Sequence, residues 1–95
     1  MDFECDYAQE LVMLAQRAIQ GDNVDKGMLC RAAIRVIDNP PRDEILRDLA
    51  DHVVQTVFEW ARFGGSRLRL KGVIEGYKMA ASAIEIDEKL NKLQN

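Results

Sequence analysis

Ninety-five residues, 47% of them hydrophobic and only two of them proline, suffice for one domain with a buried core and are too apolar for a disordered chain. The formal charge of −3 disfavours a general nucleic-acid binder, and two cysteines without C-x-x-C spacing disfavour a disulfide framework. Uncharged apolar runs such as 79–84 (MAASAI) are too short to span a bilayer, and the acidic start (Asp2, Glu4, Asp6) is the opposite of a signal or transit peptide, so a soluble cytoplasmic protein with no membrane association is expected.

The first predicted helix runs from about Glu4 to Gln20. Tyr7, Leu11, Leu14, Ala15 and Ala18 form its apolar stripe, Val12 and Ile19 widen it, and Met13 points away. Gly21 followed by Asp-Asn is a stop signal. Asn23 or Asp25 can cap a second helix that ends near Asp38, with Leu29, Ala33, Val36 and Ile37 on its buried side and Cys30 and Ile34 flanking them. Cys30 in that setting is a small hydrophobe, whereas Cys5 lies near the chain end, open to oxidation. Asn39-Pro40-Pro41 ends the helix, because residues before proline avoid the helical region.

A third, long helix is predicted from about Pro41 to Phe63, with its prolines in the first turn. Its stripe is Ile45, Leu46, Leu49, Val53, Val57, Trp60 and Phe63, and Val54, Phe58 and Ala61 add a second apolar arc. Gly64-Gly65 breaks it, and Ser66 is placed to cap the fourth helix. That helix, 66–93, spans roughly 40 Å at 1.5 Å per residue. One of its faces carries Leu68, Gly72, Gly76, Met79, Ala80, Ala83, Ile86, Leu90 and Leu93; another carries Leu70, Val73, Ile74, Tyr77, Ala81 and Ile84.

No strand-like alternation and no repeat occurs. Residues 1–95 therefore read as a single all-α domain, a four-helix bundle-like fold with a long C-terminal helical hairpin. The two long helices carry more apolar surface than such a bundle covers alone, which predicts a homodimer or docking on a partner protein.

Three groups of residues are candidates for function. Gly72, Gly76, Met79, Ala83, Ile86 and Leu90 place small and apolar side chains at three- and four-residue spacing, the arrangement of a tight helix crossing; two helical glycines each cost about 1 kcal/mol relative to alanine, so something should offset them. Phe58, on the second arc of the third helix, joins this interface set. Arg62, Arg67, Arg69 and Lys71 gather around the Gly-Gly turn within a segment, 62–78, whose five bases face Glu75 alone. Bases at a helix N-terminus oppose its dipole, which points to an acidic protein surface or a phosphate as partner, or to pairing with neighbouring carboxylates.

For catalysis, His52 stands four residues after Asp48, a spacing that can orient an imidazole, but no nucleophile accompanies it; a metal site would need Cys5, Cys30 and His52 to converge from three helices. No enzyme, cofactor or metal site is expected. The functional expectation is a non-enzymatic interaction module, a small adaptor, regulator or inhibitor. The alternatives are a nucleic-acid- or phosphate-binding regulator using residues 62–71, and a phage or mobile-element accessory protein that occludes a host complex.

Overall fold

A computed structural model describes residues 6–94, which form four α-helices and no strand: α1 (Tyr7–Ile19), α2 (Lys26–Asp38), α3 (Glu44–Phe63) and α4 (Arg67–Gln94). The expected helix start at Glu4 and the thiol of Cys5 lie outside the described residues. Each helix begins at a short polar side chain that accepts from an otherwise unpaired N–H. Asp6 takes Gln9 N at 3.0 Å, Asp25 takes Gly27 N at 3.1 Å, Asp43 takes Leu46 N at 3.1 Å and Ser66 Oγ takes Arg69 N at 3.2 Å.

The ends are equally explicit. α1 closes in a Schellman arrangement, with Gly21 N on Ala18 O, Asp22 N on Arg17 O, and Gly21 at φ +93°, a region that favours glycine. α3 closes at Gly64, left-handed at φ +66°, whose N–H donates to Trp60 O. One expected boundary is corrected. Pro40 and Pro41 lie in the loop rather than the first turn of α3, because Asp43 is the residue whose carboxylate caps the helix.

Each helix packs on its chain neighbours, and α1 closes the ring against α4. The core is built of small and medium side chains. Ala8, Ala15, Ala18, Ala32, Ala33 and Ala50 let the helices approach, while Leu11, Leu29, Val53, Val57, Leu70 and Ile74 fill the centre. Thr56, a buried polar residue, donates its hydroxyl to His52 O at 2.7 Å and so leaves no unpaired group. At the bundle surface Arg35 bridges to Glu10 at 3.2 Å, and Lys78 reaches Gln16 at 3.2 Å.

The stripes are narrower than the sequence suggests. Ile34 and Ile37 of α2 are exposed, as are Ile45 and Phe63 at the two ends of α3. Conversely, the second arc of α3 is covered by its own bundle: Val54 is buried, and Phe58 and Ala61 are half-buried.

α4 is the outlier in length. Its 28 residues make the molecule 49 Å long against 26 and 22 Å in the other directions. Leu70, Ile74 and Tyr77 enter the core, and Ile84 is half-buried. From Glu85 to Leu93 every side chain is exposed, and Glu85 and Glu88 border grooves shared with α1 and the loop before α3.

Candidate interaction surfaces

The two apolar faces of α4 have different fates. The face of Leu70, Ile74 and Tyr77 is the one that builds the core. On the opposite side Leu68 is 81% exposed, Met79 74%, Ile86 58%, Leu90 50% and Leu93 83%. Large apolar side chains in a line along one helix form the kind of continuous patch that monomeric proteins rarely leave open.

The glycines lie on this outer side. A methyl group added to Gly72 or Gly76 would meet no atom within 4 Å beyond the helix's own backbone. Close approach of α1, α2 or α3 therefore does not account for either glycine. Ala83 is also exposed. From Gly72 the outer positions run Gly72, Gly76, Met79, Ala83, Ile86, Leu90 and Leu93, alternating steps of four and three residues. An average period of 3.5 is that of a seam between two wrapped helices, whereas a helix lying on a globular core follows 3.6. Phe58 is placed apart from this seam, half-buried against the core on α3.

The basic turn is only partly free. Arg69 pairs with Glu59 at 3.2 Å across the Gly64-Gly65 turn, and the Arg62 guanidinium stacks over Phe63, 5.6 Å from the ring centre. Arg67 and Lys71 are exposed and pair with no carboxylate among the described residues. The first turn of α4 holds no acid, so these cations sit against the positive end of the helix dipole. Trp60 is half-buried on the core, with Lys26 Nζ 5.7 Å from its ring centre.

His52 is exposed, and its Nδ1 lies 2.8 Å from the backbone carbonyl of Asp48, not its carboxylate. That contact makes Nδ1 the protonated nitrogen and directs the ring along its own helix rather than toward a catalytic partner. Cys30 is a half-buried free thiol. Among the described residues no group of three or more His, Cys, Asp or Glu side chains is arranged to hold a metal ion.

A feature the sequence reading passed over is a groove of about 350 Å³ between α1 and α2, with Met13, Leu14, Met28 and Ala32 on its apolar surface and Glu10, Arg17 and Arg35 at its edge. Met13 and Met28 belong to different helices, so no periodicity within one helix brings them together. Tyr77, at the junction of α1, α3 and α4, has its pKa pushed up to about 12 by burial first and by the nearby charges of Asp6 and Asp43 second.

No helix among the described residues is long and apolar enough to cross a membrane. Comparison with known proteins finds no family model, no curated sequence and no solved structure that matches this chain.

Proposed function

We propose that this chain is a non-enzymatic interaction module that works by docking the outer face of α4 against another polypeptide. The single observation that carries the reading is the row Met79, Ile86, Leu90 and Leu93, at least half exposed and in register with two glycines at which an added methyl group would meet nothing within 4 Å. Moving one such side chain from water into an interface contributes about 1–2 kcal/mol, so four of them on one helix supply a substantial part of a binding energy. Glycine and alanine in the same row let a second helix come close, which returns as dispersion contacts what the two glycines cost in helix propensity.

The exposed Arg67 and Lys71 at the base of α4 give the surface a sign. On a partner other than this chain they favour an acidic surface at the matching position, and in either case the apolar row engages first. Nucleic acid is the weaker alternative, supported only by these two cations at a helix N-terminus on a chain of charge −3.

Ala83→Glu tests the reading. It places a charge in the middle of the outer row without touching the core, so the helical circular dichroism should be unchanged. A polypeptide recovered with the wild-type chain from its native host, this chain itself included, should be lost with the variant. Identical recovery with both would mean that the outer face of α4 is not the docking surface.

A further inference from the structure

The seam on α4 is asymmetric along its length, and the asymmetry identifies what covers it. Gly72 and Gly76 occupy the N-terminal half of α4, and the exposed Ile86, Leu90 and Leu93 the C-terminal half. We infer that the occupant is a second copy of this chain, its α4 lying antiparallel along the first, with the twofold axis crossing near residue 81. This rests on the outer face of α4 being a docking surface and adds the partner and its orientation.

Size complementarity is the first argument. In antiparallel pairs, the two kinds of seam position face each other across the axis. Centred near residue 81, Gly72 meets Leu90 of the second copy, Gly76 meets Ile86, and Met79 meets Ala83. Each of these layers combines one small side chain with a larger one, which keeps the two helix axes a near-constant distance apart, and Leu93 falls at the end of the overlap opposite Arg69. A parallel pair would set Gly72 on Gly72 and Leu90 on Leu90, forcing the axes together at one end and apart at the other.

Charge is the second and independent argument. The same antiparallel register brings Glu75 of one copy beside Lys89 of the other, twice by symmetry, and places Ser82 beside Ser82 at the centre. All three residues are exposed. In the parallel arrangement Glu75 would face Ala80 and Ser82 would face Asp87, with no opposite-charge pair along the seam. Length is the third. The midpoint of α4, which runs Arg67–Gln94, falls at the proposed axis, so the two helices overlap end to end. The turns after Ile84, whose side chains are exposed, would lie along the partner's Gly72 and Gly76.

The experiment is a charge-reversal cycle on the full chain, followed by sedimentation equilibrium: Glu75→Lys, Lys89→Glu, and both together. Each single reversal should weaken the dimer about tenfold, and the double variant should return to within about threefold of wild type, because each pair is restored with opposite sign. Spin labels on Lys92→Cys, with Cys5 and Cys30 changed to serine, should lie about 33 Å apart along the seam, eleven residues from the axis in each copy. Failure of the double variant to recover, or labels within about 20 Å of one another, overturns the antiparallel register. A chain monomeric at every concentration overturns the second copy as occupant, and the Ala83→Glu recovery experiment then decides separately whether the surface docks a different protein.

Discussion

Arg69 Nη1 lies 3.2 Å from Glu59 Oε2, tying the first turn of α4 to the last turns of α3 across Gly64-Gly65. Both side chains are largely exposed, so the pair contributes at most about 1 kcal/mol and chiefly fixes the direction in which the guanidinium points. The basic turn thus divides into two cations engaged within the chain, Arg62 and Arg69, and two, Arg67 and Lys71, directed at solvent. Arg67→Glu with Lys71→Glu should keep the fold and raise the unfolding free energy by about 0.5–2 kcal/mol, because acids suit the positive end of the α4 dipole where cations do not. The same pair of changes should weaken capture of an acidic partner and reduce its salt dependence. Equal capture at low and high salt by both proteins would remove the basic turn from recognition.

Leu70 and Leu90 belong to the same helix and differ completely in environment, 0% against 50% exposed. Leu70→Ala should destabilise the chain by about 2–4 kcal/mol in chemical denaturation, through lost burial and the cavity left in the core. Leu90→Ala, measured where the chain is monomeric, should change stability by less than about 0.5 kcal/mol. A large cost for Leu90→Ala in the monomer would place that side chain inside the fold.

Gly72 and Gly76 carry an opposed pair of effects. With no atom in the way of a methyl group, Gly76→Ala in an Ala83→Glu background should stabilise the folded monomer by about 1 kcal/mol. In the otherwise wild-type chain the same methyl group enters the seam and should weaken association. Stabilisation without any loss of association would show that nothing approaches the glycine.

Tyr77 makes stability sensitive to alkali. Its pKa of about 12 in the folded chain exceeds the ordinary value of 10.0 taken for the unfolded chain, so between those pH values the unfolded chain has released a proton that the folded chain still holds. The stability this represents, about 2–3 kcal/mol, is fully present below pH 10 and is lost as pH rises toward 12. Tyr77→Phe should flatten that part of the pH profile, measured by urea unfolding, relative to wild type. An identical slope in both proteins would mean that Tyr77 ionises as freely in the folded chain as in the unfolded one.

Much of the fold is legible in local chemistry. Gly21, Gly64 and Ser66 mark helix ends because a left-handed turn or an unpaired N–H demands those residue types, and the structure uses each for that purpose. Asp43 was harder to read as a cap because the two prolines before it also suit a helix start. Which apolar residues stay wet was less legible. Ile45 and Phe63 match the period of α3 as well as Val53 does, but burial depends on where the neighbouring helices sit against α3, and no pattern within α3 encodes that. The two faces of α4 looked equivalent in the sequence for the same reason. Only packing shows that Leu70, Ile74 and Tyr77 face inward and that the glycine-bearing face remains outside. The groove of Met13 and Met28 joins two helices and was invisible to any single-helix pattern.

The central claim is that another polypeptide covers the outer face of α4, and the methionines provide their own probe. In a single chain Met79 is more exposed than Met13, 74% against 58%, and should oxidise to the sulfoxide at least as fast. The account expects the reverse under peroxide: Met79 protected relative to Met13 in the wild-type protein, and the protection abolished in Ala83→Glu. Oxidation of Met79 as fast as Met13 in the wild-type protein, both purified and in extracts of its native host, would contradict it.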